Sequence, residues 1–126
     1  MADLNDLQRI ALSLPQVTQE EEHIAFAVLN KGKPKGIAWV WMERIHPKKA
    51  RVPNLDVIAI RVRSNHEKEA LLALYPEKYF TEPHYNGFPA ILVRLAAVEV
   101  EELRELLVNA WRSQAPPALV KDFDAR

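Results

Sequence analysis

The spacing of apolar residues changes period several times along the chain, and each change marks an element. Leu4, Leu7, Ala11 and Leu14 recur at helical spacing behind Asp3, a suitable N-cap, and Pro15 ends the run. Ile24, Phe26 and Val28 then alternate as a strand. Lys31-Gly-Lys-Pro-Lys-Gly36 supplies turn chemistry, and Ile37 to Met42 continues as a second strand, which predicts a hairpin with three lysines at its tip. Residues 43 to 55 have no clear period and predict a basic loop. In the following strand, 56 to 63, Ile58, Ile60 and Val62 face one way while Arg61 and Arg63 face the other. Ser64 with Glu67 has capping-box spacing, a cap contributing about 1 kcal/mol, and opens a helix through Leu71, Leu72 and Tyr75 that stops at Pro76.

The segment from Tyr79 to Leu95 is the densest in the chain. It gathers Tyr79, Phe80, His84, Tyr85 and Phe88 with two prolines and Gly87, one of only three glycines, which is the composition of a specified loop. It leads into a strand where Ile91, Val93 and Leu95 alternate with Leu92 and Arg94. From Glu99 a helix follows, with acids in its first turn and one stripe of Val100, Leu103, Leu107, Ala110 and Trp111. Pro116 and Pro117 break it, and Leu119, Val120 and Phe123 predict a short terminal helix that folds back.

With no repeat and no linker, residues 1–126 form one α+β unit, an antiparallel sheet with helices packed on one face. Arg61, Arg63 and Arg94 are then assigned to the uncovered face. Trp39 and Trp41 share a parity with each other and with Ile37, which predicts that the pair lines the core. Exposed beside the arginines, they would instead be a platform for stacking bases.

Composition adds exclusions. At 126 residues and 48% hydrophobic content the chain can build a core without staples, and the absence of cysteine removes disulfides and thiolate nucleophiles. Acidic residues stand where a signal peptide needs basic ones, and the longest apolar run is too short to span a bilayer, so a cytoplasmic protein with no membrane contact is expected. The formal net charge of zero hides an asymmetry: residues 1–30 carry −4, residues 31–63 carry +7 and the rest −3. A basic middle third suits phosphate binding, although basic residues also keep hairpin tips and sheet edges soluble.

His23 and Phe26, the turn with Lys31 and Lys33, the run Pro83-His84-Tyr85-Asn86-Gly87-Phe88-Pro89, Val93 to Val98 followed by Glu102-Leu103, and Ala110-Trp111-Arg112 ahead of Ala115-Pro116 together resemble the MmcQ/YjbR family. That resemblance implies a small bacterial α+β fold similar to the frataxin/CyaY arrangement, with a proposed double-wing surface and the label "DNA-binding". The longer basic loop at 43 to 55 and Pro34-Lys35 in the first hairpin depart from compact members.

Three chemistries suit these residues to different degrees. For nucleic acid, Lys31, Lys33 and Lys35 on one tip, Lys48, Lys49 and Arg51 on another, and Arg61, Arg63 and Arg94 between them would contact the DNA phosphate backbone without reading sequence. For catalysis or small-ligand binding, His84 is the one evident acid or base, and no phosphate-cradling loop or nucleophile elbow accompanies it, so no cofactor is expected and an enzyme or small-ligand protein centred on the His84 loop stands as an alternative to nucleic-acid binding. For metal, Asp3, Asp6, Glu20, Glu21 and Glu22 are hard donors, but His23, His46, His66 and His84 are scattered without ligand spacing. Association through the uncovered sheet or an edge strand would add a second copy of the chain as a partner.

Overall fold

A computed structural model describes residues 1–20 and 22–126; Glu21, one of the acids considered above, lies outside the described residues. Helices α1 (Leu4–Ser13), α2 (Asn65–Leu74), α3 (Val100–Gln114) and α4 (Pro117–Asp124) accompany strands β1 (Val17–Gln19), β2 (Ala25–Asn30), β3 (Lys33–Glu43), β4 (Val52–Arg61), β5 (Tyr79–Phe80) and β6 (Ala90–Arg94). The strands form one antiparallel sheet in the order β1-β2-β3-β4-β6-β5. The fold is α+β, as the alternation of periods predicts.

Each helix begins where its capping chemistry is written. Asp3 and Asp6 close a reciprocal capping box on α1, and on α3 the Glu99 backbone N–H donates to the Glu102 carboxylate at 3.1 Å. Ser64 accepts from the Glu67 backbone N–H at 3.2 Å. Leu7, Ile10 and Ala11 of α1 and Leu103, Leu107, Ala110 and Trp111 of α3 are buried against Phe26, Val28, Ile58, Ile60, Ile91 and Val93 of the sheet. Fully burying each such side chain contributes on the order of 1.5–3 kcal/mol, which makes this layer the main source of stability. The Trp111 indole N–H reaches the Pro15 carbonyl at 2.9 Å, and Phe123 of α4 packs back on the Trp111 ring with centroids 4.8 Å apart.

The first hairpin is tighter than its sequence suggests. Lys31 and Gly32 both take positive φ, 54° and 78°, the two-residue turn whose twist suits antiparallel strands. Lys33 to Gly36, read above as turn, therefore belong to β3, which runs 11 residues. Likewise β4 begins at Val52 rather than at Asp56, leaving a loop of 44–51 between the two long strands.

A β-bulge decides which side the tryptophans take. Phe26 pairs with Ala38 but Ala27 pairs with Gly36, so Ile37 has no partner on β2 and the alternation of β3 shifts there. Ile37 stays in the core under the helices, while Trp39, opposite Ala25 and Ala59, faces the other side of the sheet with Trp41. The expectation that both tryptophans line the main core with Ile37 is thus overturned, because it assumed unbroken alternation.

Candidate functional site

The face of the sheet away from α1 and α3 carries its own aromatic cluster. Val57 and Ala59 of β4 with Ala90 and Leu92 of β6 form its floor, and Tyr85, Trp39, Trp41 and Phe80 pack on it. Residues 83–89 cross this face as a loop opened by a short 3-10 turn at Pro83–Tyr85. That crossing explains why Ala90 through Val93 are buried on both sides, where alternation alone would expose every second residue. Gly87 takes φ 78°, a conformation that a side chain would strain.

The rings are fixed to one another. The Trp39 indole N–H donates to the Tyr85 hydroxyl at 3.1 Å, and Phe88 meets Trp39 edge-on with centroids 6.2 Å apart. Trp41 meets Phe80 edge-on at 5.5 Å. Two arginines complete the surface: the Arg61 guanidinium lies 5.0 Å from the centre of the Phe88 ring, and that of Arg94 lies 4.1 Å from the centre of Phe80. Register places them on one face, since Val57 pairs with Arg94 and Arg61 with Ala90. They stand about 13 Å apart along β4 at ~3.3 Å per residue.

Lys68 holds the loop in place and is the functional residue that sequence reasoning missed. Only 5% exposed, it projects from α2 and donates from Nζ to the carbonyls of Tyr85 at 2.5 Å and Phe88 at 2.8 Å. Asn65, three residues earlier on the same helix face, donates to the Gly87 carbonyl at 3.0 Å. Burial holds the Lys68 ammonium below the ordinary lysine pKa. The spacing Asn65, Lys68, Leu72 was available in the sequence, but a lysine is among the residues least expected inside.

The other predicted bases are scattered. The Lys31 turn and the 44–51 loop lie at opposite ends of β3, roughly 30 Å apart for a strand of that length. Lys35 pairs with Val28 and Lys33 with Asn30, and Val28 is buried under the helices, so both lysines leave the sheet on the helix side, away from Arg61 and Arg94. Lys48 and Lys49 are exposed at the far loop. Arg51 donates to the Met42 carbonyl at 2.9 Å, where Met42's strand partner Pro53 has no N–H to give, and Arg44 donates to the carbonyls of Pro47 and Lys49. Arg63 lies past the end of β4, exposed at the entry to α2. His84 is exposed and edge-on to Tyr85, centroids 5.7 Å apart. Among the described residues no group of three or more His, Asp or Glu side chains is placed to hold a metal ion, and no helix is long and apolar enough to cross a membrane.

Comparison with known proteins agrees with this architecture. The chain is 38% identical to the uncharacterized proteins Rv2570 of Mycobacterium tuberculosis H37Rv and Mb2600 of Mycobacterium bovis, over 98% of this chain and 96% of each relative. The crystal structure of Deinococcus radiodurans protein DR2400, a DUF419 domain, superposes with a TM-score of 0.64 over 98% of this chain and 89% of that one, at 20% identity, a likeness of fold. The YjbR family model matches residues 12–113. A match of that extent, on the elements that build both faces of the sheet, makes this chain a member of the YjbR family.

Proposed function

We propose that the protein is a weak, sequence-tolerant nucleic-acid-binding module whose working surface is the aromatic and arginine face of the sheet, and that it prefers single strands. The observation that carries this reading is the pairing of each arginine with a ring beside a half-buried tryptophan: Arg94 over Phe80 next to Trp41, and Arg61 over Phe88 next to Trp39. Every base has a flat face that stacks on an aromatic ring or a guanidinium, while a duplex hides those faces. Guanidinium groups also meet the phosphates that run between stacked bases. Lys48 and Lys49, on the loop beyond the Trp41 end of β3, add charge along the same path.

On this reading Lys31, Lys33 and Lys35 are not part of the surface, because two of them leave on the helix side. A titration of fluorescently labelled oligonucleotide, single-stranded DNA first, tests the assignment. Arg94→Ala or Trp41→Leu should weaken binding about 5- to 150-fold, the ~1–3 kcal/mol that stacking one base contributes, and Lys33→Glu should leave it within about twofold, a change comparable to that of a distant surface charge. Loss of binding with Lys33→Glu and none with Arg94→Ala would refute it.

A further inference from the structure

The loop of residues 44–51 and the groove at its base carry a second surface, which shares Lys48, Lys49 and Trp39 with the face proposed for nucleic acid. Ile45 is 74% exposed at the loop, and Lys48 and Lys49 beside it form no ion pair among the described residues. The bonds from Arg44 to the loop carbonyls of Pro47 and Lys49, and from Arg51 to the strand carbonyl of Met42, stiffen this projection, so its presentation costs little ordering entropy on docking. At its base a cleft of about 600 Å3 is walled by Ile24, Trp39, Met42 and Leu55, with Glu20 and Glu22 at the mouth. Leu55 is half exposed where residues 55–57 have no partner on β3, between the pairs Val40 with Ile58 and Trp41 with Asn54.

We infer that this groove receives the 44–51 loop of a second copy of the chain, in a reciprocal two-fold dimer. One molecule carries both halves: an apolar groove with an acidic mouth and a projecting apolar side chain flanked by lysines. Ile45 of one copy fills the cleft of the other, and Lys48 and Lys49 meet Glu20 and Glu22, with the same contacts repeated by the symmetry. A formal net charge of zero leaves no overall repulsion between copies, and the charge division between the first thirty residues and the middle third supplies the attraction. The groove and loop are small against the ~800 Å2 per partner of a standard interface, so the dimer is weak and salt-sensitive.

Sedimentation velocity across a concentration series tests this, with circular dichroism confirming that each variant is folded. The wild type should shift from monomer to dimer with concentration, and less so at high salt. The charge reversals Glu20→Lys with Glu22→Lys, and separately Lys48→Glu with Lys49→Glu, should each raise the dissociation constant roughly tenfold or more, on the scale of coupling between close interfacial charges. Mixing the two reversed proteins should restore dimers, because each then offers the loop that the other's groove accepts. Ile45→Asp should abolish association while leaving the monomer folded. A monomer at every concentration overturns the inference and leaves the groove to a different partner. A dimer indifferent to the reversals, or one that mixing does not restore, overturns it as well.

Discussion

At the level of single residues, Lys68 is the point on which the aromatic face depends. Removing its ammonium takes away one of the two hydrogen bonds that each of the Tyr85 and Phe88 carbonyls accepts, the backbone N–H groups of Phe88 and Ala90 remaining as donors, and a hydrogen bond from a charged group contributes about 1.5–3 kcal/mol. Lys68→Met should therefore lower stability by about 1–3 kcal/mol in urea unfolding, within the usual range for a single destabilising substitution. A change below ~0.5 kcal/mol, the size of an ordinary surface substitution, would show that the loop is held otherwise. The pH dependence has a definite sign. Because burial lowers the folded pKa of Lys68, the unfolded chain binds the extra proton, and stability rises with pH between that lowered value and the ordinary 10.5. Comparing wild type with Lys68→Met isolates the effect from other lysines: the difference between them should widen as pH rises through that window. The tryptophans show the limit of reading residues by parity, since one unpaired residue, Ile37, put Trp39 and Trp41 on the opposite face from the one that alternation assigns.

Among elements, helices were legible and strand ends were not. Capping residues and apolar stripes are local signals, so Asp3, Ser64, Glu99 and the stripe ending at Trp111 placed α1, α2 and α3 to within a residue or two. Strands β1 and β5, of three and two residues, have no periodic signature and exist because longer neighbours offer them a ladder. The lysine-rich hairpin looked like a flexible tip, yet its turn is two residues long and places a lysine at positive φ. Lys31→Asn should stabilise the protein by up to ~1 kcal/mol, since asparagine tolerates that conformation better, and a thermal melt that falls instead would contradict the turn geometry. Between β5 and α3, Lys78 donates to Glu102 at 2.6 Å and, with the Glu99 backbone N–H, holds the Glu102 carboxyl below its ordinary pKa. That contribution is present above the unfolded pKa and lost as pH falls through the lowered one, so Glu102→Gln should flatten the acid limb of the stability profile.

For the whole molecule, the family and the α+β architecture were readable from the sequence, whereas the surface was not. Nine bases could be named as phosphate contacts, but their directions depend on register, bulges and the length of β3, none of which is a property of composition. Arg61 and Arg94 come together beside aromatic rings, Lys33 and Lys35 turn to the helix side, and Arg51 is engaged with a strand carbonyl. Binding on such a face draws on stacking as well as charge, so its salt dependence should be shallow for its affinity, log affinity falling by about 0.7 per contacted phosphate for a single strand. The most direct measurement is a competition between a single strand and its own duplex, followed through tryptophan emission. The account predicts quenching by the single strand, tighter binding of it than of the duplex, and loss of that preference in Trp41→Leu. Equal or tighter duplex binding, without quenching and unchanged in that variant, would contradict it.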